Sequence, residues 1–230
     1  MTVRAMAAVT EHRLRIDPVG TPRATIVFVP PLFEEANRTR RTLVLAMRAL
    51  AADGFAALLP DLPGQNESPA PLDRIDLEQW QHALAAIVAA IDGRVIVASV
   101  RGGCLIDQRA QADAWWRLAP VGGAALLRTL LRARVSADRE AGIATSLESL
   151  LATARGGPLL LAGNALSPAM IAGLGAAEAQ PVEPLRSIPL GEGGIAGTPL
   201  WLRAEPGEDA AMARAIAADI AAWSRTCGIS

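Results

Sequence analysis

Between residues 24 and 100 the chain alternates short, almost wholly apolar runs with longer stretches whose apolar residues recur at helical spacing. Residues 24–29 read Ala-Thr-Ile-Val-Phe-Val, residues 55–59 form a second such run, and residues 95–100 a third. Apolar runs without polar alternation suit strands covered on both faces, as in parallel sheets. Between the first two, Leu43, Met47 and Leu50 share one helical face. Before the third, Leu77, Trp80, Leu84, Ile87, Val88 and Ile91 do the same. Strand, helix, strand, helix, strand in that order builds a parallel sheet with right-handed crossovers.

Boundary residues refine this outline. Residues 12–16 alternate and read as an early strand. Pro30 and Pro31 end the first central strand, Asn37 is the expected N-cap of the next helix, and Gly54 closes it. Asp76 with Gln79 has the form of a capping box. Further on, helices are expected over residues 105–112, 124–134 and 147–154, and strands over 114–119, 158–162 and 200–203. Ser167 and Pro168 form an N-cap with proline in the first turn. Met212, Ile216, Ile220 and Trp223 line a closing helix.

At 230 residues and 51% hydrophobic, the chain can bury a full core, and its length fits a single domain over residues 1–230. The net charge of −1 gives no overall attraction to nucleic acid or an anionic membrane. Arg38, Arg40 and Arg41 lack interleaved aromatics, so they read as a solvated or ion-paired helix face. Cys104 and Cys227 make neither a disulfide framework nor a metal motif, and read as free thiols in a reducing cytoplasm. No cofactor motif is present, so no cofactor is expected. Residues 1–10 lack the apolar core of a signal peptide. The uncharged stretch 156–177 is broken by Pro158, Asn164, Pro168 and glycines, so no membrane span is expected there.

The most specific motif is Pro-Pro-Leu-Phe-Glu-Glu-Ala-Asn-Arg-Thr-Arg-Arg over residues 30–41. It is joined, in order, by Leu-Pro-Asp-Leu-Pro-Gly (59–64), Ser-Val-Arg-Gly-Gly (99–103), Ala-Gly-Asn-Ala-Leu-Ser-Pro-Ala (162–169) and Pro-Leu-Trp-Leu (199–202). Together these segments resemble the α/β-hydrolase family, and within it the group called exosortase A system-associated hydrolase 2. The resemblance implies an α/β-hydrolase fold, a mostly parallel central sheet flanked by helices. It also implies a link to exopolysaccharide production and PEP-CTERM protein sorting, with a partner in the exosortase system. It implies no substrate.

The strand over 95–100 runs into a glycine-rich turn where such a fold carries its nucleophile, in the pattern small-x-nucleophile-x-small. Ser99 and Gly103 take the small positions, and Arg101 takes the nucleophile position. A guanidinium stays protonated and cannot attack a carbonyl. Ser99 becomes a nucleophile only if the turn shifts by two, which crowds Val97 and Arg101 into the small positions. Cys104 is a second weak candidate: a helix-start thiol can have a lowered pKa, but a buried cysteine is more commonly apolar filler. The histidines, His12 and His82, both precede the turn, so the downstream general base is missing.

Two readings of Arg101 stand. In one it is a structural plug paired with a carboxylate, with Glu34 or Glu35 as the best partners and Glu205, Glu208 and Asp209 near the last strand. In the other it anchors an anionic small molecule or sugar acid, beside free N–H groups at a helix start. Gly102 with Leu32 or Phe33 would supply oxyanion-hole N–H groups, since Pro31 has none. Trp115 and Trp116 are expected to divide between core and cleft, and Asp61 and Gly64 to shape a loop at the sheet's carboxyl edge. The expected function is a pseudoenzyme with a binding or accessory role. The alternative is an unconventional hydrolase of esters or thioesters.

Overall fold

The computed structural model describes residues 12–229. The N-terminal stretch read as lacking a signal peptide lies outside them. The chain runs β1 (Arg13–Ile16), β2 (Thr25–Val29), α1 (Glu34–Ala52), β3 (Ala56–Pro60), α2 (Leu77–Ala89), β4 (Val95–Val100) and β5 (Ala114–Leu118). It continues through α3 (Gly123–Glu140), α4 (Leu147–Ala154), β6 (Leu159–Leu161), β7 (Asn164–Leu166), α5 (Pro168–Ala176), β8 (Leu185–Ile188) and α6 (Ala210–Thr226). The main sheet has six strands in the order β1-β3-β2-β4-β5-β8. Every pairing is parallel except that of β1 with β3.

The two faces of the sheet explain its unalternating strands. Val27, Val97 and Trp115 point to one side and pack with Trp80 of α2, Leu130 of α3 and Met170 of α5. Ile26, Phe28, Ile96 and Trp116 point to the other, against Met47 and Leu50 of α1 and Ile216 and Ile220 of α6. Each such side chain, fully buried, contributes about 1.5–3 kcal/mol. Trp115 and Trp116 are therefore both core residues, one per face, and neither lines a cleft. Asp76 and Gln79 form the expected capping box on α2.

Four boundaries differ from the sequence expectation. α1 starts at Glu34, three residues before Asn37, because Phe33 at φ +60° turns the chain sharply into the helix. No helix forms over residues 105–112. A five-residue 3₁₀ turn, Arg101–Leu105, leads instead into a loop. Leu105 and Ile106 are buried there all the same, so their apolar character reflects burial of a loop. The segment 200–203 is a 3₁₀ turn over Leu200–Leu202, and the last strand is the earlier β8. The strand expected over 158–162 lies outside the main sheet, in a hairpin of β6 with β7. That hairpin and α5 occupy the uncharged stretch, and no helix among the described residues is long and apolar enough to cross a membrane.

Candidate functional site

The site is built where β4 ends. Arg101 has φ +55°, in the left-handed region that a side-chain-bearing residue enters at a cost of about 1–3 kcal/mol. Two contacts hold it there. A β-carbon on Gly103 would lie 2.5 Å from the Pro30 carbonyl oxygen and 2.6 Å from that of Val29, so only glycine lets the turn close on the end of β2. One on Gly102 would lie 3.2 Å from Cγ of Leu32, which places the loop after β2 directly against the turn.

The Arg101 side chain is claimed on two sides. Its Nε and Nη2 donate to Oε2 and Oε1 of Glu35, each at 3.3 Å, a side-on bidentate pairing with the second residue of α1. Both groups are largely withdrawn from water, with side-chain exposures of 19% for Arg101 and 8% for Glu35. Its Cζ lies 4.6 Å from the ring centroid of Trp201, within cation–π range. Trp201 is fixed in turn by Arg38, whose Nη1 donates to its carbonyl oxygen at 2.8 Å. Of the two carboxylates expected to pair with Arg101, Glu35 does so. Glu34 stands beside it, its carboxyl raised above the ordinary range by burial and by Glu35, with Arg38 acting the other way.

A cleft of about 550 Å³ opens beside this group. Arg101 and Trp201 meet there with Pro120 beyond β5, Ile188 and Pro189 at the end of β8, and Ser187. Among the described residues Ser187 supplies the lining's hydroxyl, and no histidine or carboxylate bonds to it. Leu32, Phe33, Gly102, Glu34 and Glu35, expected as binding residues, do not line the cleft. Leu32, Phe33 and Gly102 are buried behind it, with the Phe33 ring 5.4 Å from that of Trp80. The helix expected to offer N–H groups to an anion is also absent, replaced by the short 3₁₀ turn.

Neither weak nucleophile is free. Ser99 is fully buried, and its hydroxyl donates to Oδ2 of Asp107 at 2.7 Å. Asp107 also accepts from Nε and Nη2 of Arg117, at 3.0 and 2.5 Å. Cys104 is fully buried, and that burial, with the charge of Asp107, pushes its thiol far above the ordinary range. It therefore stays protonated. His12 and His82 are exposed and do not line the cleft.

The remaining charges are absorbed structurally. Arg40 and Asn66 hold the buried Asp61 at 3.3 and 2.8 Å, and Arg41 pairs with Glu208. Asp209 caps α6 by accepting from the Met212 N–H. The described residues contain no cluster of side chains that could hold a metal ion.

The sequence pointed to Arg101 and its carboxylate but missed Trp201 as a site residue, because Leu-Trp-Leu reads as a strand. It also missed the Asp107–Arg117 pair. Asp107 stands eight positions beyond Ser99 in a loop, where no periodicity marks it.

The architecture is similar to that of α/β-hydrolase domain-containing protein 10 from mouse, with a TM-score of 0.53 and 14% identity over 77% of this chain and 72% of that one. It is also similar to Est1E from Butyrivibrio proteoclasticus, solved with ferulic acid, at a TM-score of 0.48 and 16% identity over 77% and 85% of the two chains. No protein-family model matches the sequence, and no curated protein matches it. The mostly parallel sheet, its flanking helices and the sharp turn after β4 make this an α/β-hydrolase fold.

Proposed function

We propose that this α/β-hydrolase-fold chain is a non-catalytic binding or accessory protein that receives a small molecule in the cleft beside Arg101. One observation carries the reading: the strained turn presents a guanidinium, locked to Glu35, where a nucleophile would stand. The surroundings agree with it. Ser99 and Cys104 are buried, and no histidine lines the cleft among the described residues. The cleft itself is within the size range of small-molecule sites. From the sequence resemblance we further place the protein in the exosortase-associated setting of exopolysaccharide production and protein sorting, with a protein of that system as partner.

The test is covalent labelling with a fluorophosphonate probe, paired with turnover of p-nitrophenyl butyrate. The expected outcome is no labelling and no hydrolysis above buffer, in wild type and in Arg101→Ser alike, because a serine there still finds no histidine. Hydrolysis that Ser99→Ala or Ser187→Ala abolishes would overturn the reading in favour of an unconventional hydrolase.

A further inference from the structure

The charges around the cleft are already balanced, and this decides what the cleft can hold. Arg101 contributes the cation, yet two of its three nitrogens are committed to Glu35. Nη1 makes no hydrogen bond among the described residues, and Arg101 lines the cleft. Glu34 and Arg38 act on each other across one turn of α1, and the Asp209 carboxylate, 3.6 Å from where a β-carbon on the cleft-lining Gly197 would lie, adds no positive charge. An incoming anion would therefore meet no net positive charge. It would have to shed its water against a guanidinium backed by a carboxylate. Beyond Arg101 and Ser187 the named walls are apolar: Trp201, Pro120, Ile188 and Pro189.

Resting on the reading of this cleft as a binding site, we infer that its ligand is an apolar molecule carrying one uncharged oxygen acceptor, and that Glu35 is the residue that excludes anions. The free Nη1–H donates to a carbonyl or hydroxyl oxygen, and the apolar body lies against Trp201 and the prolines. An uncharged acceptor takes up an N–H of Nη1 without adding charge. A carboxylate leaves one negative charge in excess beside an ion pair that is itself largely withdrawn from water, where charge is costly.

The experiment compares octanamide with octanoate by titration calorimetry on the whole chain, in wild type and in the near-isosteric Glu35→Gln. Wild type is expected to bind octanamide about tenfold or more tighter than octanoate, a gap of roughly 1.4 kcal/mol. In Glu35→Gln the guanidinium is uncompensated. Octanoate is then expected to tighten by about tenfold or more, while octanamide shifts by less than about threefold. Octanoate binding wild type as tightly as octanamide, or neither ligand binding, overturns the inference. The wild-type comparison decides this even if the variant fails to fold. Methyl octanoate, added in parallel, separates the two claims: release of octanoate overturns the non-catalytic reading and leaves the charge preference standing.

Discussion

Arg117 and Asp107 carry side-chain exposures of 4% and 0%, the most deeply buried ion pair among the described residues. Asp107 shows the strain of that position. Burial pushes its carboxyl up, and the hydrogen bonds from Arg117 and Ser99 offset this only in part. Such a pair adds little net stability over a well-packed apolar core, but breaking it is expensive, because the survivor is left charged and dry. Asp107→Ala is therefore expected to destabilise the chain by about 3–5 kcal/mol in urea unfolding, whereas Asp107→Leu with Arg117→Met should recover most of the loss. A double variant as unstable as the single one would mean the pair holds the loop by geometry alone. Ser99 belongs to this network, its buried hydroxyl donating to Asp107.

At the scale of elements, the turn after β4 depends on backbone closeness more than on any side chain. Gly103→Ala would press a methyl onto the Val29 and Pro30 carbonyl oxygens, backbone atoms that can yield only if β2 or β4 moves. The expected result is a melting temperature several degrees lower, from a loss of about 1–3 kcal/mol, together with weaker ligand binding. An unchanged melting temperature would show that the two strands are not held at this distance. The central strands and the capped α2 were legible in sequence because burial on both faces and a side-chain cap leave local signatures. The start of α1 was not, since it is set by the backbone angle of Phe33 and has no side-chain cap. Residues 105–112 misled for a different reason: loop burial against α2 and β5 uses the same apolar residues as a helix face. β8 went unseen because Leu-Arg-Ser-Ile is short and half polar, and only its pairing with β5 makes it a strand. The site was legible to the extent that one residue type stood in the wrong place. The partner that stacks on it comes from a turn a hundred residues later, and the sequence carries no distance.

On the scale of the whole molecule, Asp219 ties the far side together. It accepts from Arg186 on β8, at 2.6 Å to each oxygen, and from the Trp116 indole N–H of β5 at 2.7 Å. Burial alone would raise its carboxyl; the hydrogen bonds from Arg186 and Trp116 outweigh it and hold the group below its ordinary 3.8. A lowered acid contributes stability that is complete above the unfolded value and is lost as pH falls through the folded one. Wild type should therefore melt higher than Asp219→Asn at about pH 7, with the gap closing as the pH is taken below about 3.8. A gap unchanged at low pH would assign the difference to packing. The Glu35–Arg101 pairing has a comparable reach in evolutionary time. Replacing either member alone strands the other in a largely dry setting, at a cost of about 3–5 kcal/mol, which is a large part of a domain's stability. A lineage holding both residues is thus caught in a two-locus trap, where a change at either position is selected against before the compensating change at the other can arrive.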